Sequence, residues 1–534
     1  MVGRIEPNDE NHHTDRTPGP PVSRRTMLTG VAGGVLLAGG VFSFAGGCLA
    51  ESERDPRHDD RRHPAGREGT PPPRQPPAAS PPVTHFSLPF RVPPVLQPTK
   101  DDSSGTYYSL TQKAATAEIL PGLKTPIWGY DGIFPGPTIV GRTGRPVVIT
   151  HHNKLTTPVS VHLHGGRTPP ASDGYPTDLI QPDGSKVYTY PHDQRAATLW
   201  YHDHRLDFTA PQVYMGLAGF HLIHDPIEDA LPLPKGEKDV PLLITDRLFE
   251  ADGSMYYPSV DPTLKTPGIY PWAMNGQYGD TLLVNGVPWP VMRVSNTKYR
   301  FRILNASNAR VYQMSLDPPP PQGAAHFVQV GSDGGLLATP VNLDRLVISP
   351  AERYDVVIDF GAYPVGTKVV LANNWTEKPV ITELMRFDVV RSEKDDSSIP
   401  AQLSTVDLPD PNKAVRTRHF DFKRRSDGMW GINDLMFDEN RISADPKLGS
   451  TEIWEFTSDI RHPVHLHLVH FSIISRSYPA MGPFDSGLKD TVHVRPGETV
   501  RVAATFNGWP GKYVFHCHNL EHEDMMMMAN FQVT

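Results

Sequence analysis

"KYVFHCHNLEHEDMMMM", residues 512–528, contains one of the only two cysteines in a chain of 534 residues. The stretch begins as a β-strand, in which residues i and i+2 project to one face and residue i+1 projects to the other. His516 and His518 therefore share one face, and Cys517 lies on the opposite face. A further histidine, His522, and a run of four methionines follow the strand. The pattern predicts a strand that supplies ligands to two metal centres, one on each side.

The composition of the chain predicts a globular, loop-rich protein of several domains. A chain of 534 residues is too long for a single hydrophobic core, so two to four domains are expected. The 56 prolines and 44 glycines favour β-structure linked by turns over helices. The net charge of −8 argues against nucleic acid as a partner, because phosphate binding needs a basic surface.

Short β runs separated by Gly, Pro, Asn and Asp fill the chain from about residue 84. Two of them are "KYRFRILNAS" at 298–307 and "TVRVAATF" at 499–506. No long stretch shows the periodicity of a helix. The sequence therefore predicts an all-β fold of greek-key β-sandwiches or barrels.

The amino-terminal region predicts an export signal. Arg24 and Arg25 precede an apolar run rich in glycine and alanine, the pattern of a twin-arginine signal peptide over residues 1–50. A transmembrane anchor is the alternative, but many glycines interrupt the run. Cys48 weakly resembles a lipoprotein cleavage box, which leaves lipid anchoring as a minority hypothesis. We therefore predict export to an extracellular, periplasmic or cell-envelope location.

A charged, proline-rich segment follows at 51–83, and its composition predicts a disordered tether. The rest of the chain divides into a first domain at 84–235, a second at 236–395 and a third at 396–534.

Two parts of the chain contain similar histidine motifs in the same order. "VSVHLHGG" at 159–166 is followed by "TLWYHDH" at 198–204, and "HPVHLHLVHF" at 462–471 is followed by "KYVFHCH" at 512–518. Each pair is one H-x-H strand and then a second, which indicates that the first and third domains share one ancestral fold. In this alignment Asp203 takes the place of Cys517. The second domain has no H-x-H segment and is predicted to bind no metal.

The Cys517 side of the strand predicts a mononuclear copper site. A thiolate, two imidazoles and a distant methionine are the ligands of a blue-copper electron-transfer centre. His522 and Met527 follow the cysteine, and His462 in the earlier strand can supply the second imidazole. Zinc is the alternative, but structural zinc usually has more cysteines.

The opposite side predicts a cluster of several copper ions at a domain interface. One H-x-H pair could consist of ordinary buried or surface histidines, but four such pairs in one chain argue against that reading. The eight histidines are His162, His164, His202, His204, His465, His467, His516 and His518.

These segments resemble those of the multicopper oxidases, and are similar in particular to bacterial spore-coat laccases and bilirubin oxidases. The resemblance runs from about residue 85 to the end. It includes "HLHGGRTPPASDGYP", "LWYHDHRLDFT", "LVNGVPWP", "YRFRILNAS" and "SPAERYDVVIDF". It implies three cupredoxin domains and four copper ions.

The resemblance also implies a role for each ligand. It assigns type-1 copper to His462, Cys517, His522 and Met527, and type-2 copper to His162 and His465. It assigns the type-3 pair to His164, His202, His204, His467, His516 and His518. Electrons would enter at type-1 copper from phenols, aromatic amines or bilirubin-type pigments, and dioxygen would be reduced to water at the three-copper cluster.

Two acidic residues match groups that line solvent paths in similar enzymes. Asp173 lies in "SDGYP" and Glu523 directly follows His522. We expect them to relay protons or to tune the cluster. The alternative is that they are ordinary loop carboxylates.

Three other functions remain open from the sequence. A cuprous-ion oxidase of the cell envelope would usually carry a methionine-rich insert, and the only methionine run here lies in the ligand loop. A non-enzymatic scaffold would typically have lost copper ligands. A nitrite reductase normally has fewer domains and a mononuclear catalytic copper.

Overall fold

The structure is a computed structural model that describes residues 74–321, 323–478 and 481–534. The predicted export signal, Cys48 and most of the predicted tether lie outside the described residues. The last part of that tether segment, residues 74–83, lies along the chain's second domain. There Ser80 donates hydrogen bonds from both its backbone N–H and its hydroxyl to Asp280. The described residues form one compact unit.

The amino-terminal part of this unit consists of two sheets. One sheet has the order β1-β2-β5-β7 with β3 on β2, and the other has the order β4-β9-β8-β6. The strands are β1 (Lys100–Asp102), β2 (Gly105–Ala117), β3 (Thr125–Tyr130), β4 (Ile139–Arg142), β5 (Val147–Asn153), β6 (Val161–His164), β7 (Ser185–Tyr190), β8 (Ala197–Asp203) and β9 (Ala218–His224).

The central part also has two sheets. Their orders are β12-β11-β10-β14-β19-β16-β17 and β13-β21-β20-β15-β18. The strands are β10 (Asp239–Arg247), β11 (Thr281–Val284), β12 (Val287–Pro288), β13 (Val291–Ser295), β14 (Lys298–Asn305), β15 (Tyr312–Asp317), β16 (Phe327–Ser332), β17 (Gly335–Leu343), β18 (Leu346–Ile348), β19 (Arg353–Asp359), β20 (Lys368–Asn373) and β21 (Glu383–Arg391).

The carboxyl-terminal part repeats the two-sheet arrangement, with the orders β23-β22-β25-β29-β27 and β24-β31-β30-β26-β28. The strands are β22 (Ala414–Arg424), β23 (Trp430–Ile432), β24 (Ile442–Ala444), β25 (Thr451–Ser458), β26 (His462–Leu466), β27 (Phe471–Arg476), β28 (Thr491–Val494), β29 (Thr499–Thr505), β30 (Gly511–Cys517) and β31 (Met528–Val533).

Helices are few and short in the described residues. The α-helices are α1 (Thr209–Tyr214), α2 (Pro226–Ala230) and α3 (Leu520–Asp524), and the 3₁₀ turns are Pro170–Ser172, Gly236–Lys238, Pro271–Ala273, Phe360–Ala362, Pro411–Lys413 and Pro483–Asp485. The predicted all-β fold is confirmed. Within those described residues, the search for a helix long and apolar enough to cross a membrane found none.

Each part has its own apolar core between its two sheets. Leu110 and Ile149 belong to the first core, Phe301 and Phe387 to the second, and Trp454 and Phe515 to the third. A further buried cluster contains Trp200, Leu304 and Leu520, one side chain from each part. Burying such a side chain contributes about 1.5–3 kcal/mol, so apolar packing joins the three parts. This shared cluster lies beside the histidines, because Trp200 stacks on His202 with 4.2 Å between ring centroids.

Candidate metal centres

Four strands carry the histidine pairs and bring them together. β6 pairs antiparallel with β8, with His162 opposite His202. β26 pairs antiparallel with β30, with His465 opposite His516. The two H-x-H segments of each repeat are therefore neighbours in one sheet, although about 40 to 50 residues separate them along the chain.

The strand register confirms that Asp203 and Cys517 occupy equivalent positions. Asp203 lies opposite Val161, and Cys517 lies opposite Val464. The Asp203 carboxylate is buried and accepts a hydrogen bond of 3.0 Å from the backbone N–H of Ser160. Burial raises the pKa of this carboxyl to about 8. The first repeat thus has a hydrogen-bonded carboxyl where the third has a thiol.

The eight histidines are buried, and six of them have ring nitrogens without hydrogen-bond partners among the described residues. Each is at most 1% exposed. An unpartnered buried polar atom costs free energy, so these nitrogens fit metal ligation. In the described part of the chain, the nitrogens without a hydrogen-bond partner include His162 Nε2, His164 Nδ1, His202 Nε2, His465 Nε2 and both ring nitrogens of His518.

Histidines from the two repeats approach each other closely. His516 Nε2 lies 3.2 Å from His204 Nε2 and 3.2 Å from His467 Nε2. Burial lowers the pKa of His202 to about 3 and that of His204 to about 4. These imidazoles are therefore neutral near pH 7, which is the form that binds metal ions.

The nitrogens form three overlapping groups, within each of which the ligand atoms lie less than 4.8 Å apart. The groups are His162, His465 and His467; His162, His164 and His202; and His204, His467 and His516. His518 lies next to these groups: its ring centroid is 5.0 Å from that of His164 and 5.3 Å from that of His202. The structure thus brings together all eight predicted cluster histidines.

A second group lies on the opposite face of β30. Cys517 Sγ is 3.4 Å from His462 Nδ1 and 3.6 Å from His522 Nδ1, and the two nitrogens are 3.1 Å apart. The ring of Trp430 lies 4.1 Å from that of His522. Burial raises the pKa of the Cys517 thiol. Three convergent donors of this kind fit a blue-copper centre.

Met527 is placed beside this group. It is fully buried in the same apolar cluster as Cys517, and its carbonyl accepts a 3.0 Å hydrogen bond from the Cys517 N–H. Met525 and Met528 are also buried, in apolar clusters. The methionine run is therefore mostly core, with Met527 the one backbone-paired to the cysteine.

Asp173 contacts two cluster histidines, one from each repeat. Its Oδ2 lies 2.7 Å from His467 Nδ1, and its carbonyl oxygen accepts a 2.6 Å hydrogen bond from His162 Nδ1. Burial raises the pKa of its carboxyl to about 8. A carboxyl with a pKa near neutrality can hold or release a proton close to the cluster.

Glu523 also bridges the two repeats. Its carboxylate oxygens lie 3.3 Å from His204 Nδ1 and 3.0 Å from His516 Nδ1. The carboxylate thus faces the Nδ1 side of both rings, whose Nε2 atoms lie 3.2 Å apart, a placement like that of the carboxylates behind metal-binding histidines. Asp173 and Glu523 therefore both lie next to cluster histidines from the two repeats.

The sequence reasoning missed Asp490, which groups with His164 and His465 as a further possible ligand set. It also missed Arg353, which pairs with Asp490. Neither residue lies in a histidine motif. The available signal was "KDT" at 489–491, a charged segment that enters the short buried strand β28.

Comparisons with known proteins agree with this arrangement. Family models described as "Multicopper oxidase" match residues 111–228, 271–383 and 400–534. The chain is 38% identical to a laccase from Bacillus subtilis, over 83% of this chain and 97% of that one. It is also 38% identical to a bilirubin oxidase from Albifimbria verrucaria, over 85% of this chain and 82% of that one.

Solved structures show the same fold. The laccase of Pediococcus acidilactici superposes with a TM-score of 0.76 at 32% identity, covering 86% of this chain and 96% of that one. The McoA multicopper oxidase of Aquifex aeolicus superposes with a TM-score of 0.74 at 31% identity, covering 85% of this chain and 100% of that one.

The fold and the two centres define a copper-dependent oxidoreductase built of cupredoxin-like domains. The chain belongs to the multicopper oxidase family.

Proposed function

We propose that the protein is a laccase-like oxidase that couples one-electron oxidation of phenols, aromatic amines or bilirubin-type pigments to four-electron reduction of dioxygen to water. The observation that carries this proposal is the His516–Cys517–His518 segment. It contributes Cys517 to one group of ligands and both histidines to the other. The laccase and bilirubin oxidase relatives support the same reaction.

Four copper ions fit the ligand groups. His462, Cys517, His522 and Met527 would hold type-1 copper, and His162 and His465 would hold type-2 copper. Bound copper would supply electron acceptance from the reductant and the reduction of dioxygen. The type-3 pair would be held by His164, His202, His204, His467, His516 and His518.

Cys517 and His516 provide a short connection between the centres. They are covalent neighbours, and His516 Nδ1 also lies 3.1 Å from the carbonyl oxygen of Cys517. Trp430 and the surrounding apolar cluster cover the Cys517 group and exclude water from it. The route between the centres therefore stays inside the protein.

A cavity of about 280 Å³ next to the Cys517 group offers a place for a small aromatic reductant. Its walls include Arg461 and Pro463, which flank His462, and Tyr278 from the central domain. Asn519 also lines it, and the Asn519 N–H lies 3.4 Å from Cys517 Sγ. A donor in this cavity would sit one residue away from two of the copper ligands.

Proton delivery would involve Asp173 and Glu523. The Glu523 carboxyl lies beside one histidine from each repeat. Asp173 contacts His467 through its carboxyl and His162 through its backbone carbonyl oxygen. We assign them to holding and passing protons at the cluster, since reduction of dioxygen to water consumes four protons.

The predicted twin-arginine signal makes export part of the proposal. The mature protein would lie outside the cytoplasm, in the periplasm, the cell envelope or the medium, and its partners would be dioxygen, the reductant and the export machinery. Mass spectrometry of the mature amino terminus tests this. A start beyond Cys48 removes the lipid-anchor alternative, and an uncleaved leader contradicts the proposed signal.

Oxygen uptake with three reductants in parallel tests the proposed activity. The copper-loaded protein receives dimethoxyphenol, bilirubin or cuprous ion, and the Cys517→Ser variant serves as the blank for non-enzymatic oxidation. We expect fast uptake with the organic donors and little with cuprous ion. Preference for cuprous ion would overturn the substrate assignment and favour a metal oxidase. The buried methionine run argues against that alternative, because it offers no exposed docking surface.

A further inference from the structure

A single buried carboxylate connects all three parts of the molecule. Asp490 accepts hydrogen bonds from Arg353 of the central part, at 2.7 Å from Nη1 to Oδ1 and 2.5 Å from Nη2 to Oδ2. Its Oδ1 also lies 3.1 Å from Nε2 of His164, in the first part. Its carbonyl oxygen lies 2.8 Å from Nδ1 of His465, in the third part. All four side chains are at most 1% exposed.

These contacts fix which ring nitrogen of each histidine is free. His164 donates from Nε2 to Asp490, so its unpartnered Nδ1 is left as the ligand atom. His465 donates from Nδ1, so its unpartnered Nε2 is left. An ionised carboxylate accepts hydrogen bonds only, so it enforces the donor state at His164. Asp490 thus selects opposite tautomers at two neighbouring histidines.

Arg353 in turn holds Asp490 in one position. Its guanidinium is planar and pairs with the carboxylate through two parallel bonds, a geometry that lysine cannot reproduce. The same guanidinium donates from Nε to the carbonyl of Thr198, 2.9 Å away, and from Nη1 to that of Ala351, 3.0 Å away. Buried backbone carbonyls therefore hold the guanidinium in place beside Asp490, and the ion pair has little freedom to move.

Gly165 supports the pair from the histidine strand. It directly follows His164, and its φ of +85° lies in the left-handed region that favours glycine. A Cβ at this position would lie 2.6 Å from Arg353 Nη2 and 2.9 Å from Asp490 Oδ2. The backbone next to His164 therefore packs directly on the ion pair.

We propose that Arg353 is a positioning residue for the copper cluster: acting through Asp490, the central domain that carries no copper ligand sets the orientation of His164 and His465. This inference rests on the proposed copper assignment. It differs from a purely structural role because it predicts a change confined to the cluster, with the Cys517 group unaffected.

The test is Arg353→Lys, with Arg302→Lys as the matched control. Arg302 lies on the neighbouring strand β14 and is equally buried. It pairs with Asp239 and Glu228, and neither of these residues belongs to the ligand groups. The measurements are copper retained per chain against a competing chelator, the type-2 EPR spectrum, the blue absorption and the unfolding temperature of the copper-free chain.

We expect Arg353→Lys to weaken copper retention at the cluster by about 10- to 100-fold and to alter the type-2 spectrum, with the blue absorption unchanged. Arg302→Lys should lower the unfolding temperature and leave the type-2 EPR spectrum and the blue absorption unchanged. The same type-2 spectrum and copper retention in Arg353→Lys as in the unmodified protein would overturn the inference. So would losses that match those of Arg302→Lys.

If Arg353→Lys does not fold, the Asp490→Asn variant tests the inference instead, because asparagine keeps the shape of the side chain and removes its charge. An altered type-2 spectrum in that variant supports the inference, and an unaltered one overturns it. Failure of the proposed function would look different, because the unmodified protein would then lack blue absorption or cluster copper.

Discussion

Cys517 is the only ligand of its group that must lose a proton to bind copper near pH 7. Burial raises the pKa of its thiol and lowers the pKa values of His462 and His522, so the histidines are already neutral. Copper binding must therefore displace one proton, that of the thiol. We expect copper affinity at this site to rise about 10-fold for each pH unit between pH 6 and pH 8, because one proton is released per ion.

Chelator competition followed by the blue absorption measures this affinity. A pH-independent affinity, or a slope of two protons, would contradict the assignment of a buried thiol flanked by neutral imidazoles.

The carboxylates beside the cluster give a second prediction for single residues. Asp173→Asn and Glu523→Gln keep the hydrogen-bonding size of each side chain but remove the group that exchanges protons. We expect turnover to fall on the order of 100-fold in each variant, while the blue absorption persists. Steady-state oxygen uptake measures the loss.

Asp524→Asn is the control for these two variants. Asp524 is a half-buried carboxylate of α3 that accepts hydrogen bonds from the N–H groups of Thr209 and Ala210 rather than contacting a cluster histidine. Equal turnover in all three variants would show that Asp173 and Glu523 have no special role.

At the scale of the strand, alternation explains how much the sequence could predict. The H-x-H spacing alone places both histidines of a pair on one face and Cys517 on the other. The four pairs and the cysteine loop therefore predicted the eight histidines and the His462–Cys517–His522 group that the structure brings together, but not Asp490. The register itself, such as His465 opposite His516, depends on residues about 50 positions apart and has no local signal.

Contacts between domains could not be predicted in this way. Arg353 and Asp490 are 137 residues apart; Arg353 begins strand β19, and Asp490 directly precedes strand β28. Their pairing depends on how the central sheets pack on the other two parts. No repeat or spacing in the sequence encodes that packing.

Strand β5 carries a histidine that is purely structural and gives a prediction on acid stability. His151 is buried, with its Nδ1 2.8 Å from Gln112 Nε2, and burial lowers its pKa to about 3. The unfolded chain binds a proton here below about pH 6.5 and the folded chain does not. Stability therefore falls as pH drops from about 6.5 towards 3, by up to about 1.4 kcal/mol per pH unit from this group.

His151→Gln removes this pH-dependent loss of stability. The stability of the variant relative to the unmodified chain should therefore improve as pH falls. Urea unfolding of the copper-free protein at several pH values between about 4 and 7 measures it. The same substitution at an exposed histidine, His419→Gln, is the control variant. Parallel curves for His151→Gln and the unmodified chain would contradict the burial argument.

For the whole molecule, the copper cluster joins two parts of the chain that are far apart in sequence. Its histidines come from β6 and β8 at one end and from β26 and β30 at the other. A ligand that binds only the folded state stabilises it, by about 4 kcal/mol when its free concentration is 1,000-fold above the Kd. We expect the copper-free protein to unfold at a clearly lower temperature than the loaded protein.

Calorimetry of both forms measures this difference, and copper added back should restore it. The Cys517→Ser variant distinguishes the contributions of the two centres. It should retain most of the copper-dependent rise in unfolding temperature if the cluster is the main link between the domains. Identical unfolding temperatures with and without copper would mean that the cluster does not hold the parts together.

We expect strand β30 to serve two copper centres, one mononuclear and one trinuclear. EPR spin quantitation on protein of known total copper measures this. We expect four copper ions per chain with half of them visible by EPR, because a magnetically coupled type-3 pair would be silent. A single visible copper per chain, or full visibility of all bound copper, would contradict it.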